Sequence, residues 1–321
     1  MRVIIAGLDF PTISQTLGAL LPGVEVAHVP PGDLAQEAAR AEVLIPAMCR
    51  VDQSIIAPAG QAGRLALIQQ WGVGLEGVDL AAAARWGVAV ANVPGDAAPA
   101  NAESTAEHAL FLMMAAARRI NQCRQSFACG PWGFPQGRAL FGATAVIMGL
   151  GRVGQALARR LKALGLTVWG VRREPDPELA ARLGLAGVVG AADLPGLLPR
   201  ADFLVSAVTA TPATLGCFNR QVFAALPPGA VFVNVSRGGV VNEDDLQAAL
   251  VAGHLAGAGL DVFAREPARA DHPLVALPQV VATPHVGGVT RQSYADIGRE
   301  VAANIRRLAA GQPLAHLAPG S

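Results

Sequence analysis

Along almost the whole chain, short runs rich in Val, Ile and Leu alternate with alanine- and leucine-rich stretches of helical length. That alternation restricts the fold more than any other feature, because strands joined through helices run parallel and are covered on both faces. In the first third, Val3–Ala6, Val24–His28, Val43–Pro46, Leu65–Gln69 and Val88–Asn92 are expected to be strands. Helices are expected between them at Pro11–Leu21, Asp33–Ala41 and Leu80–Trp86. A long alanine-rich helix from Ala100 to Ile120 is read as a bridge between two domains, followed by a loose segment, Cys129–Pro135. A second strand series is expected at Ala143–Met148, Thr167–Val171, Val188–Val189, Phe203–Ala207, Val231–Val235, Gly257–Val262 and Val280–Thr283. Helices are expected at Val153–Ala163, Pro177–Leu183, Asn219–Ala224 and Glu243–Ala252. A final helix, Gln292–Ala310, comes after that series has ended and is expected to pack back onto the first domain.

The 321 residues are enough for two domains, and a hydrophobic share of 52% supplies material for two cores while excluding a disordered chain. Basic and acidic residues nearly cancel, 25 against 24, and form no basic stripe, so nucleic acid is not an expected partner. The four cysteines, Cys49, Cys123, Cys129 and Cys217, show neither CxxC spacing nor histidines at ligand distance. They read as small hydrophobes in a reducing compartment, with no disulfide framework and no metal site. Neither the N-terminal run Val3–Ala6 nor the uncharged stretch Ala109–Ala117 has the length of a signal or a membrane span. A soluble cytoplasmic protein is expected.

The expected strand Thr144–Met148 runs directly into Gly149-Leu150-Gly151-Arg152-Val153-Gly154 and then into a helix. In that setting the first glycine permits a tight turn and the second lets backbone amides approach a pyrophosphate. The third permits close packing of helix on strand, and the helix N-terminus supplies positive potential. The motif therefore points to a bound dinucleotide. The next strand ends in Arg172-Arg173, where an NAD enzyme usually places an acid for the ribose 2′-hydroxyl. Guanidinium groups suit a phosphate dianion, which favours NADP. The alternative is that both arginines are solvated and Glu174 or Asp176 reaches the ribose of NAD.

Three further stretches each follow an expected strand. They are Asn234–Asn242, which contains Ser236-Arg237-Gly238-Gly239, then Gly259–Pro267, which contains Asp261 and Glu266, and Thr283-Pro284-His285-Val286-Gly287-Gly288. Doubly wound folds bind ligands at the carboxyl ends of their strands. An arginine, a glutamate and a histidine delivered there suit reduction of a keto acid. Arginine holds the carboxylate and polarises the ketone, and histidine exchanges the proton beside a carboxylate that favours its charged form.

These stretches, with the glycine loop before them, resemble the D-isomer-specific 2-hydroxyacid dehydrogenase family, from about Leu65 to Ala310. The resemblance also covers Gly72–Asp79, Asn92-Val93-Pro94-Gly95 and Ala106-Glu107-His108-Ala109. It implies an α/β fold of two Rossmann-like, doubly wound parallel-sheet domains with a cleft between them, and a homodimer. Residues 1–98 with 289–321 would form the substrate-binding domain and 99–288 the dinucleotide-binding domain. Residue by residue, it implies Arg237, Glu266 and His285 as the catalytic set, and Val73 and Gly74 as backbone amides receiving the substrate carboxylate. Asp261 would hold the nicotinamide carboxamide, with Thr105, Gly149, Gly151, Arg152, Val153, Gly154, Val235 and the arginines at 172 and 173 completing the cofactor site. Glyoxylate and hydroxypyruvate are the substrates that the resemblance suggests. The chain ends soon after Ala310, so a further C-terminal regulatory domain is not expected.

Two departures stand out: the ribose acid is replaced by Arg172, and Thr209-Ala210-Thr211-Pro212 lacks a proline the family often carries at its first position. A phosphite-oxidising member would profit from an added cation near the carboxylate loop, and Glu76 there argues against it. An NAD(H)-sensing protein of corepressor type is the alternative from outside the enzymes. His108 is expected to pack at the domain junction and His272 to lie in a turn. Trp71, Trp132 and Phe134 are candidates either for the core or for the substrate cleft.

Overall fold

The computed structural model describes residues 1–8 and 10–319; the side chain of Cys129 lies outside that description. The chain divides into two compact units, Met1–Asn101 with Thr290–Ser321, and Ala102–Val289.

The first unit carries strands β1 (Arg2–Gly7), β2 (Glu25–Val29), β3 (Val43–Ala47), β4 (Leu67–Gln69) and β5 (Ala89–Ala91). They form one parallel sheet in the order β2-β1-β3-β4-β5. Alternate residues of β1 serve opposite faces. Ile4 and Ala6 join one buried cluster and Val3 and Ile5 another, which is why the strand reads as an unbroken apolar run. Helix Arg291–Ala309 buries Ile297, Val301 and Ile305 in the same cluster as Ile13 and Leu17 of helix Pro11–Leu20. Gly298 makes that approach possible, since a Cβ there would lie 2.5 Å from Thr16 Cγ2.

The second unit carries β6 (Thr144–Met148), β7 (Thr167–Arg172), β8 (Gly187–Gly190), β9 (Phe203–Ser206), β10 (Ala230–Asn234), β11 (Leu255–Leu260) and β12 (Val280–Ala282). They form a parallel sheet in the order β12-β11-β10-β9-β6-β7-β8. The direction of winding reverses between β6 and β9, and that switch point is where an open α/β sheet forms its ligand crevice. Both sheets are parallel and doubly wound, as the alternation predicts.

Two elements differ from expectation. Helix Gln53–Gln61 is not among the expected helices; Asp52 Oδ1 caps its first turn through the Ser54 amide at 2.9 Å, and Ile56 and Ala59 are buried on either side of Pro58. The long helix runs from Pro99 to Ala117 and stops before Arg119, whose backbone is left-handed at φ 52; a second helix, Ile120–Cys129, follows. Trp132 and Phe134 are not core residues: they are 92% and 58% exposed. Among the described residues, no helix is long and apolar enough to cross a membrane, and no group of three or more His, Cys, Asp or Glu could hold a metal ion.

Candidate active site

The glycine loop leaves β6 at the switch point. Gly149 has φ 92, and a Cβ there would lie 2.4 Å from Ala207 O, just past the end of β9. A Cβ on Gly154 would lie 1.9 Å from Gly149 O, so this glycine lets helix Arg152–Ala163 sit against the turn. Gly151 faces open space, with nothing within 4 Å of its Cβ position, and no side chain caps the helix after it. Gln155 Nε2 braces the loop by donating to Leu150 O at 2.9 Å. An uncapped helix N-terminus beside an open glycine fits a pyrophosphate.

Arg172 ends β7, and its guanidinium pairs with the Asp176 carboxylate. Asp176 also caps the next helix, with Oδ1 accepting the Leu179 amide at 2.9 Å. Both oxygens of Asp176 are therefore engaged, and the arginines stand at the end of the strand. Arg173 is exposed beside it.

The neighbouring strands β10, β11 and β12 deliver the other three candidates. After β10, the buried Asn234 shapes the turn. Its Oδ1 accepts the Ser236 amide at 3.0 Å and the Ser236 hydroxyl at 2.8 Å, and its Nδ2 donates to Arg237 O at 3.0 Å. The Ser206 and Ser236 hydroxyls lie 2.8 Å apart, and Arg237 Nη1 donates to Ser236 O at 2.8 Å. Gly238 then lies flat against the loop after β11, where a Cβ would lie 1.8 Å from the carbonyl carbon of Phe263. That contact seats the Arg237 turn directly on the segment that carries Glu266.

Glu266 Oε1 accepts the Phe263 amide at 2.9 Å, and Oε2 lies 2.9 Å from His285 Nδ1. The imidazole is 32% exposed and its Nε2 makes no hydrogen bond among the described residues, so that nitrogen is available to exchange a proton. Below it, Asp261 is buried at 2% exposure. Burial pushes its carboxyl upward, but hydrogen bonds from His108, Thr283 and the amides of Val286 and Gly287 outweigh this and hold it below the usual aspartate value. Thr105 lies beside Gly287, its Cγ2 3.5 Å from the Cβ position there. Val235 is buried where the chain leaves β10.

Arg237, Glu266, His285 and Asp261 are thus brought to one edge of the second unit's sheet. Val73 and Gly74 belong to the first unit. Val73 is 52% exposed and its carbonyl accepts Asn92 Nδ2 at 2.8 Å. His108 places Nε2 2.8 Å from Thr283 Oγ1 and 3.3 Å from Asp261 Oδ1. Asn234, Thr283 and His108 were not singled out as site residues. Their signal was a polar side chain at or just past the end of an apolar strand for two of them, and none for the third.

A family model for the D-isomer specific 2-hydroxyacid dehydrogenase, NAD binding domain, matches residues 110–287. The chain belongs to this family. It is 38% identical over 304 residues to a D-3-phosphoglycerate dehydrogenase of Mycobacterium bovis, an alignment covering 93% of this chain and 55% of that one. It spans about half the length of the D-3-phosphoglycerate dehydrogenase relatives it matches. To the glyoxylate reductase/hydroxypyruvate reductase of Homo sapiens it is 36% identical over 270 residues, 82% of this chain and 79% of the other. Among solved structures, an NADPH-dependent glyoxylate/hydroxypyruvate reductase from Sinorhizobium meliloti, in complex with NADP and malonate, matches with a TM-score of 0.82. The identity is 28%, over 99% of this chain and 97% of that one. The fold and glycine loop described above are thus those of a dehydrogenase family that binds a nicotinamide dinucleotide.

Proposed function

We propose that this chain is an NAD(P)-dependent 2-hydroxyacid dehydrogenase that reduces small 2-keto acids such as glyoxylate and hydroxypyruvate. The observation that carries the reading is the His285–Glu266 pair at 2.9 Å, which leaves Nε2 available, with the Arg237 turn packed against the segment that carries Glu266. Glu266 engages Nδ1 and so fixes the orientation of the ring, turning Nε2 outward. Arg237 holds the substrate carboxylate and draws charge from the keto oxygen, and the amides of Val73 and Gly74 receive the carboxylate. His285 Nε2 gives its proton to that oxygen. Reduced nicotinamide, when bound, supplies the hydride for the keto carbon, so carbonyl, hydride and proton together make the 2-hydroxy acid.

The cofactor in this reading is NADP, with NAD as the alternative. Support comes from Arg172 and Arg173 at the end of β7 and from Asp176, one of the two acids that follow them, being engaged in capping and pairing. An exposed ion pair such as Arg172–Asp176 is worth little, so a phosphate dianion can compete for the guanidinium. The similar Sinorhizobium meliloti reductase is NADPH-dependent. We also propose a cytoplasmic homodimer. For the dimer, the support is the exposed pair Phe127 and Trp132, edge to face with centroids 6.0 Å apart, an arrangement more at home in an interface than in water. Light scattering tests it.

The test of function is the initial rate of glyoxylate and hydroxypyruvate reduction with NADPH and NADH compared at equal concentration. Turnover favouring NADPH supports the whole reading. An NADH preference removes NADP and leaves the dehydrogenase. Tight cofactor binding without turnover of either acid favours the cofactor-sensing alternative.

A further inference from the structure

Three consecutive backbone amides converge on one buried aspartate. His285 N donates to Asp261 O at 2.8 Å and lies 3.1 Å from Thr283 O. Val286 N donates to Asp261 Oδ1 and Gly287 N to Oδ2, each at 2.8 Å. His285 needs this grip, because its backbone is left-handed at φ 54, a conformation that costs energy in any residue with a Cβ and persists only where the surroundings impose it.

The protons in this cluster can be assigned. Asp261 is ionised and only accepts. The Thr283 hydroxyl has one proton and gives it to Oδ1 at 2.6 Å. The His108 Nε2 contact to Thr283 Oγ1 at 2.8 Å then requires the proton to be on His108. The order is therefore His108 Nε2–H to Thr283 and Thr283 O–H to the Asp261 carboxylate, which also accepts the amides of Val286 and Gly287, the two residues after His285. Oδ1 takes Thr283, Val286 and the longer His108 contact, so Oδ2 keeps the spare acceptor position.

We propose that His108 and Thr283 are positioning residues, which act through the Asp261 carboxylate to hold the left-handed turn at His285 and so to aim its ring. The proposal rests on His285 being the proton donor of the reaction proposed above. Neither residue touches the substrate in this account. Their hydroxyl and ring N–H keep Asp261 ionised and fixed, and Asp261 in turn keeps the loop from relaxing to an extended backbone that would swing the imidazole off Glu266.

The test uses Thr283→Val, which keeps the shape and removes the hydroxyl, Thr283→Ser, which keeps the hydroxyl, and His108→Phe, which removes the ring donor. For each we would measure kcat and KM for hydroxypyruvate, the Kd of NADPH by fluorescence, and hydrogen–deuterium exchange of the peptide spanning 283–289 in the protein without ligand. Loss of a hydrogen bond to a charged group predicts a kcat lower by about ten-fold or more in Thr283→Val and His108→Phe, with KM and Kd within about three-fold. Exchange across 283–289 should be faster in both. Thr283→Ser should restore rate and exchange to within about three-fold of the parent. Parental kcat and exchange in Thr283→Val would overturn the proposal, as would a loss that Thr283→Ser fails to recover, since that would make the role one of shape. If Thr283→Val does not fold, His108→Phe decides on the same readouts. A parent protein that turns over no 2-keto acid would remove the proposed function, and the exchange comparison would still decide whether this network holds the loop.

Discussion

His285 Nδ1 lies 2.9 Å from Glu266 Oε2, while Oε1 of the same carboxylate accepts the Phe263 amide at 2.9 Å. One side chain thus ties the imidazole of the loop after β12 to the backbone of the loop after β11. The two roles can be separated, because an amide can replace the acceptor but not the charge. Glu266→Gln is expected to keep the fold and to lower kcat by about 10- to 100-fold, since the ring loses a charge-assisted partner. NADPH affinity, read by tryptophan fluorescence, should stay within about two-fold. An unchanged kcat would reduce Glu266 to a support for the loop.

Arg172 and Asp176 form an exposed pair at the end of β7. Replacing the cation tests what the pair is for. Arg172→Asp should lower kcat/KM with NADPH by about 10- to 100-fold, the worth of a charge-assisted contact to phosphate, and leave NADH unharmed or improved. An equal loss with both cofactors would mean that Arg172 serves the local structure and does not read the nucleotide.

Asp261 stays ionised to a lower pH than a free aspartate, because burial is outweighed by its hydrogen bonds from His108, Thr283, Val286 and Gly287. A depressed native pKa contributes stability that is complete above the ordinary value of about 3.9 and is lost as pH falls through the native value. Urea midpoints from neutrality to about pH 3 should therefore fall in the parent. In Asp261→Asn they should start lower and fall less steeply below about pH 4. Parallel curves would contradict the assignment.

The contact of Gly238 with Phe263, 1.8 Å from a Cβ position to a carbonyl carbon, is backbone on backbone, so no rotamer change can relieve it. Gly238→Ala should cost about 3 kcal/mol, the upper end for overpacking, and displace the Arg237 turn from Glu266. A lowered Tm with a loss of kcat larger than the loss of folded protein is the expected result. A parental Tm would show that the two loops separate freely.

Much of this fold is legible in the amino-acid sequence. The apolar runs at Thr144–Met148 and Ala230–Asn234 are buried on both faces and announce themselves in any register, and the glycine loop and His285 follow strands at fixed offsets. What could not be read depends on contacts between segments far apart in sequence. Asp261 is placed by resemblance at the nicotinamide carboxamide, yet its partners come from residues 108, 283, 286 and 287, which no local pattern joins. The long helix is expected to end near Ile120 and breaks at Arg119, while the helices Gln53–Gln61 and Ile120–Cys129 are not among those expected from the sequence. In each case tertiary packing overrode a local preference.

The most direct test compares the parent with His285→Asn in hydroxypyruvate reduction by NADPH, with the chirality of the product identified. The account predicts turnover to the D-2-hydroxy acid in the parent, and a kcat lower by about 100- to 10,000-fold in the variant with NADPH binding retained. No turnover in the parent with either cofactor, or a variant as fast as the parent, would contradict it.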